Sequence, residues 1–176
     1  DLKLMSQKPD GDWFYQQKIL GFNYRMTDFQ AALGMSQFKR LKKFVSYRNK
    51  IVKFYDKSLK DSGWILPYIE KNKYSACHLY VVRLPKKLIH YKKKIFSFLR
   101  KKNIGVNVHY IPVHTQPYYK NNKITYNNLE NAENYYKSAI TIPVHYGLKK
   151  TDQMKIINIL KDAINMNNNT SISKSK

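Results

Sequence analysis

The clearest helical pattern in the sequence begins at a capping box. Thr27 and Gln30 lie three residues apart, the spacing at which a threonine hydroxyl and a glutamine side chain together cap the first turn of a helix. Gly34 weakens the helix locally, and lysines fill the face opposite the apolar positions. The apolar positions recur at helical spacing and are Phe38, Leu41, Val45, Val52, Tyr55 and Leu59. The pattern predicts one long helix, or two in tandem, ended by Asp61-Ser62-Gly63.

Strand-like and helix-like segments alternate after this region. Runs rich in β-branched and aromatic residues predict strands at 78–84, 104–111 and 140–144. In the middle strand, Val106, Val108 and Tyr110 would share one face and Asn107, His109 and Ile111 the other. Apolar periodicity predicts helices from Leu88 to about Asn103, over 129–139, and through Ile164 after a cap at Thr151. This order predicts an α/β or α+β fold, with one sheet and helices packed on it.

The two ends of the chain lack such patterns. Asp1–Gln17 shows no clear periodicity, and the sequence does not open on methionine, so we expect a fragment or a processed product. Residues 166–176 carry almost no apolar side chains and predict a disordered tail. No apolar run is long enough for a membrane-spanning helix.

The net charge bears on possible partners, and the cysteine content bears on disulfides and cellular location. The formal net charge of +22 would attract nucleic acid or another anionic surface. However, the basic residues are 28 lysines and only 5 arginines, whereas proteins that read bases favour the bidentate arginine side chain. Lys, Asn, Ile and Tyr all have AT-rich codons and together make up 75 residues, so genome composition explains much of the charge. The single cysteine excludes an internal disulfide and fits a cytoplasmic location.

The first polar cluster, residues 21–28, enters the capped helix. An amide from Asn23 and a guanidinium from Arg25 beside a helix N-terminus suit a phosphate or another anion. The alternative is an ordinary capped helix start in which Arg25 pairs with an acidic residue.

The second polar cluster, residues 109–119, follows a predicted strand. It contains His109, Tyr110, His114 and Tyr118, whose imidazoles and hydroxyls suit a sugar or nucleotide ligand. Two histidines alone do not make a metal site, although His145 could add a third ligand. Ordinary packing of a proline-containing loop is the alternative.

Both clusters, in this order, resemble the DegT/DnrJ/EryC/StrS family of pyridoxal-phosphate-dependent nucleotide-sugar aminotransferases. The most recognisable stretch is 20–34, with Gln37, Leu41 and Arg48 after it. Further counterparts are 78–80, 103–114, 116–119, 131–133 and 141–143. The resemblance implies the C-terminal part of an aspartate-aminotransferase-like (fold type I) enzyme. The implied units are 1–26, the end of the large domain; 27–61, a linking helical region; 62–165, the small domain; and 166–176, the tail.

The family also implies chemistry. Its Schiff-base lysine and the aspartate that pairs with the pyridine nitrogen lie in the large domain, so we expect no catalytic residue in this chain. The closest likeness is to enzymes that aminate C4 of a UDP-linked 4-keto-6-deoxy-N-acetylhexosamine, with glutamate as donor, for sugars of the pseudaminic acid type. The family implies a homodimer, in which Asn23 would reach the cofactor phosphate of the neighbouring subunit.

The remaining residue roles also come from the resemblance. Arg25 would contact an anion of the sugar diphosphate or of glutamate, and His109, Tyr110, His114 and Tyr118 would line the substrate side. The alternative function is a noncatalytic basic α/β module for binding or oligomerisation.

Overall fold

A computed structural model describes residues 4–22, 24–122 and 127–172 of the protein. Its α-helices are α1 (Asp28–Phe38), α2 (Leu41–Leu59), α3 (Lys92–Lys101), α4 (Pro117–Asn121), α5 (Glu130–Ser138) and α6 (Lys150–Ile172). Its strands are β1 (Tyr80–Arg83) and β2 (Ala139–Ile142), and short 3-10 helices cover Lys86–Tyr91 and Val113–Thr115. None of the described helices is long and apolar enough to cross a membrane.

The predicted capping box and the tandem helices are confirmed. The Thr27 hydroxyl accepts from the Gln30 N–H at 3.4 Å, and the Gln30 side-chain oxygen accepts from the Thr27 N–H at 2.9 Å. The break between α1 and α2 falls at Lys39-Arg40, where the Arg40 N–H donates to the Gln37 carbonyl. Helix α2 buries one face, whereas α1 buries no residue.

Strands β1 and β2 form an antiparallel pair in which Tyr80 faces Ile142 and Arg83 faces Ala139. The prediction of a strand over 104–111 is wrong, because Asn107 makes only an isolated bridge to Thr141. Local hydrogen bonds replace the expected ladder. The Val106 N–H donates to the Ile104 carbonyl, and the Val108 N–H donates to the side-chain oxygen of Asn107 at 2.8 Å. Such side-chain-to-backbone bonds compete directly with strand pairing.

Helix α6 packs on α2 and on α3, and these helices share one hydrophobic core with the strand pair. Two buried polar atoms are satisfied by carbonyls at distant points of the chain. The Tyr55 hydroxyl donates to the Pro143 carbonyl at 3.0 Å, and the Trp64 indole donates to the Leu160 carbonyl at 2.9 Å. The largest fully buried side chains include Tyr55, Leu59, Tyr80, Leu84, Leu99, Ile140 and Leu160.

The N-terminal segment contributes to this core, which its lack of periodicity did not predict. Trp13 is only 7% exposed and meets Phe96 edge-on, with ring centroids 4.6 Å apart. The Tyr136 hydroxyl accepts from the Trp13 indole and donates to Asp10, and Asp10 pairs with Lys93 at 2.9 Å. These contacts fasten residues 10–13 to α3 and α5.

The last helix differs from its prediction at both ends. It begins at Lys150, and the Asp152 carboxylate accepts from the Lys149 N–H at 3.3 Å, so Thr151 is not the cap. The helix continues to Ile172, past the start of the predicted disordered tail, because no glycine or proline follows Ile164 to end it. Residues 173–176 lie outside the described part of the chain.

Candidate functional site

The first polar cluster forms an exposed entry to α1. Arg25 is exposed between Tyr24 and Met26, and no ion pair joins it to an acid among the described residues. The alternative of a structural ion pair at Arg25 is therefore not observed in that part of the chain. Asn23 lies outside the described residues, so its predicted phosphate contact stays a prediction.

His109 is fixed against β2. Its Nδ1 lies 2.9 Å from the Thr141 hydroxyl, and its ring meets Tyr110 edge-on at 4.5 Å between centroids. The peptide bond between His109 and Tyr110 is cis. Burial, and then the charge of His78, lower the pKa of His109, which favours the neutral imidazole at physiological pH. A neutral imidazole held at Nδ1 can use Nε2 to accept from or donate to a ligand.

The other two predicted residues belong to a neighbouring, more firmly packed segment. His114 is buried, and its Nε2 lies 3.1 Å from a Glu133 carboxylate oxygen on α5. Tyr118 is half-buried, and its N–H donates to the Gln17 carbonyl at 2.9 Å. Both residues thus make contacts that hold the fold together. Their predicted roles toward the substrate stay predictions. The described ranges contain no group of three His, Cys, Asp or Glu side chains arranged for a metal ion.

A cavity of about 310 Å³ lies beneath Tyr110, which is 61% exposed. Its lining divides into an apolar floor and a polar rim. The floor is formed by Trp13, Phe96, Val106 and Val108. The rim is formed by Asp12, Tyr15, Arg100, Asn107 and Tyr110. Of these residues, the sequence pattern pointed only to Tyr110 and the segment containing Asn107; the aromatic run Trp13-Phe14-Tyr15 was the available signal for the N-terminal part of the lining.

Comparison with known proteins decides the family. A profile of the DegT/DnrJ/EryC1/StrS aminotransferase family matches residues 2–161. This chain belongs to that family. The predicted family is thereby confirmed.

The relatives of this chain include a polysaccharide biosynthesis protein and a transaminase named for a UDP-sugar. The spore coat polysaccharide biosynthesis protein SpsC of Bacillus subtilis is 32% identical over 160 residues, which are 88% of this chain and 41% of SpsC. The UDP-4-amino-4,6-dideoxy-N-acetyl-beta-L-altrosamine transaminase of Campylobacter jejuni serotype O:2 is 34% identical over 141 residues, 80% of this chain and 37% of the relative. The chain thus spans about two fifths of the length of these relatives.

Solved structures of sugar aminotransferases share the fold. The apo-form of the putative sugar aminotransferase Spr1654 from Streptococcus pneumoniae superposes with a TM-score of 0.76 at 28% identity, covering 99% of this chain and 44% of Spr1654. Helicobacter pylori PseC, an aminotransferase of pseudaminic acid biosynthesis, gives 0.73 at 28% identity, covering 88% and 42%. Spr1654 has also been solved in a PLP-form and a PMP-form. These likenesses confirm the predicted α/β fold class.

Proposed function

We propose that this chain is the C-terminal portion of a pyridoxal-phosphate-dependent nucleotide-sugar aminotransferase. The complete enzyme would move an amino group from glutamate to C4 of a UDP-linked 4-keto-6-deoxy-N-acetylhexosamine, for a cell-surface sugar of the pseudaminic acid type. The observation that carries the proposal is the family match over residues 2–161, together with relatives named as transaminases of a UDP-sugar. We further propose a cytoplasmic homodimer.

The entry to α1 fits the phosphate group of the cofactor. The N-terminus of this 11-residue helix favours a bound anion, and the Asn23 amide would add a donor for the cofactor phosphate of the neighbouring subunit. The guanidinium of Arg25, which is free of ion pairs among the described residues, would contact an anion of the sugar diphosphate or of glutamate. When bound, pyridoxal phosphate supplies an electron-withdrawing ring that carries the amino group between substrates.

The buried lysine of the described residues does not present its amine to a cofactor. Lys92 is the buried lysine of the described residues, and its Nζ donates to the Tyr136 carbonyl between the rings of Trp13 and Tyr136. Because these contacts enclose the amine, we propose that the Schiff-base lysine lies in a part of the enzyme outside this chain.

His109 and Tyr110 would contact the sugar. The neutral imidazole keeps Nε2 for a sugar hydroxyl while Thr141 holds Nδ1, and the exposed ring of Tyr110 contacts the imidazole edge-on. In this role the two side chains orient the keto sugar and do not themselves react. The fixed imidazole limits the number of orientations in which the sugar can bind.

The test is an assay of the full-length protein that contains this chain. We expect the enzyme, with pyridoxal phosphate and L-glutamate, to convert the UDP-linked 4-keto sugar to its 4-amino product, detected by mass spectrometry with release of 2-oxoglutarate. His109→Asn should raise the KM for the keto sugar, while the control His90→Asn, at an exposed histidine, should not. Failure to aminate any nucleotide-linked keto sugar would instead favour the noncatalytic basic module.

A further inference from the structure

The acidic residues of the chain are unevenly distributed along its sequence. All 11 lie within residues 1–70 and 130–176, whereas residues 71–129 contain 11 lysines, two arginines and no acidic residue. A codon bias toward lysine explains how many lysines the chain has, but it does not explain why aspartate and glutamate are missing from one segment. Residues 71–129 therefore carry a formal charge of +13 that composition alone does not account for.

The structure places much of this charge on the outer side of α3. Helix α3 buries Ile95, Phe96 and Leu99 in the core. The opposite side of the helix points away from the core, and it carries Lys94 and Lys101, which are seven residues, or about two turns, apart. Further exposed lysines lie at the C-terminal end of α3 and on the 3-10 helix that runs into it. We name as the basic face the exposed residues Lys86, Lys87, Lys94, Lys101 and Lys102.

The charge of the basic face is not neutralised by neighbouring acids. None of its five lysines makes an ion pair with the part of the chain that the structure describes. The acids next to α3 are Asp10 and Asp12, and both are engaged on its flank. Asp10 pairs with Lys93 at 2.9 Å, and Asp12 accepts a hydrogen bond from the Ser97 hydroxyl at 3.4 Å. The lysine ammonium groups of the basic face are therefore available to an external anion.

We propose that the basic face docks the protein on the surface of a bilayer that contains anionic phospholipids. Lysine clusters of this size on an amphipathic helix are typical of proteins that bind phosphate headgroups. Each ammonium group stands on a flexible stem, so it can follow a headgroup that moves within the bilayer. The apolar side of α3 is buried in the core, so the contact is electrostatic and the helix does not insert. The proposal goes beyond the proposed function, since neither cofactor nor keto sugar takes part.

A nucleic acid fits the same surface less well. Proteins that read bases favour arginine, asparagine or glutamine at base edges, and proteins that hold single strands stack the bases on aromatic rings along a groove. The basic face consists of lysines on the convex side of a helix. The neighbouring Phe98 ring is half-buried, and the Lys102 ammonium lies 5.8 Å from its centroid. The surface thus offers charge for phosphates but neither base readout nor a stacking platform.

The test is flotation of the full-length protein that contains this chain. The vesicles are phosphatidylcholine alone, or phosphatidylcholine mixed with phosphatidylglycerol. We expect the protein to float with the anionic vesicles and not with the neutral ones, and the bound fraction to fall as salt is raised. Lys94→Gln with Lys101→Gln and Lys102→Gln should weaken binding by about tenfold to a hundredfold, because each lysine contributes separately to the attraction.

A matched variant separates the basic face from the net charge of the whole chain. Lys50→Gln with Lys53→Gln and Lys57→Gln removes the same three charges from exposed positions of α2, and it should leave binding almost unchanged. Lys86→Gln with Lys87→Gln leaves α3 intact and should also weaken binding, so the result does not depend on the folding of one variant.

Three outcomes would overturn the proposal. Equal binding of neutral and anionic vesicles would mean that the attraction is not electrostatic. Equal losses in the two triple variants would assign it to the net charge of the chain. Tighter binding of a short DNA duplex than of anionic vesicles at the same salt, lost in the basic-face variants, would make this a nucleic-acid surface. Flotation needs no turnover, so its failure is distinguishable from failure of the proposed aminotransferase activity.

Discussion

The Trp13 indole donates to the Tyr136 hydroxyl at 3.0 Å, across 123 positions of the sequence. The same hydroxyl donates to Asp10 at 2.9 Å, so the Tyr136 side chain binds both Trp13 and Asp10 of the N-terminal segment. The Tyr136 ring also faces the Lys92 ammonium at 4.4 Å. Removal of that single oxygen therefore tests how the segment is held.

Tyr136→Phe should lower the free energy of unfolding by about 1–3 kcal/mol, because it leaves the buried Trp13 N–H without an acceptor. Urea unfolding followed by tryptophan fluorescence measures the change. The control is Tyr135→Phe, at an exposed tyrosine whose hydroxyl makes no hydrogen bond to the described residues; it should change stability little. Equal effects of the two variants would contradict the assignment.

Titration of the Lys92 amine should make the free energy of unfolding rise with pH between about 8 and 10. Burial lowers the pKa of Lys92 to about 8, although Asp10 opposes the shift. In this window the unfolded chain still holds the proton, because an ordinary lysine has a pKa near ~10.4, while the folded chain has released it. The unfolded state thus binds more protons, and the free energy of unfolding increases with pH, by up to roughly 1.4 kcal/mol per pH unit.

Substitution isolates this contribution from other titrating groups. Relative to Lys92→Met, the wild-type chain should gain stability from pH 8 to pH 9.5 and show a constant difference between pH 6 and pH 7. Lys94→Met, at an exposed neighbour, should follow the wild-type profile. Parallel profiles for wild type and Lys92→Met would show that the buried amine does not titrate in this window.

Helix α1 should cause the isolated chain to self-associate. Phe29 is 91% exposed, and Phe22, Leu33 and Phe38 are also exposed large apolar residues. Light scattering behind size-exclusion chromatography should show a mass that increases with concentration. Phe29→Gln with Leu33→Gln should reduce it, because glutamine keeps the helix and removes the apolar surface. Tyr68→Gln, at an exposed aromatic residue outside the helices, serves as control; a monodisperse wild-type monomer would count against this prediction.

Asn23→Ala in the full-length enzyme should weaken cofactor retention. An amide bonded to a phosphate oxygen contributes about 1.5–3 kcal/mol, so the dissociation constant of pyridoxal phosphate should rise about tenfold to a hundredfold. Folding should survive, because Thr27 caps α1. Cofactor titration and the melting temperature of the apo-protein are measured together. Unchanged cofactor affinity with a lower melting temperature would mean that Asn23 only shapes the turn.

Local signals in the sequence predicted the elements they control. The Thr27–Gln30 pair located the start of α1. The segment 104–111 has the composition of a strand, but composition does not show that the Asn107 side chain captures the next N–H. Strand pairing depends on whether a partner's backbone groups are free, which a single segment does not reveal.

The candidate site was predictable only where its residues are neighbours in sequence. His109 and Tyr110 stand together in one motif, and the structure keeps them in contact. The charged rim of the cavity joins Asp12 to Arg100, and tertiary packing alone brings these positions together. No periodicity marks Trp13, because its burial comes from Phe96 and Tyr136 rather than from residues beside it.

The long reach of these contacts has a consequence for synthesis on the ribosome. Tyr47 bonds to Leu148, Trp64 to Leu160, and Asp10 to Tyr136, with separations of 101, 96 and 126 positions. Loop-closure entropy makes such pairings slow to form, and here the later partner is translated long after the first. Trp13 and α2 therefore lack part of their native contacts until α5 and α6 have left the exit tunnel.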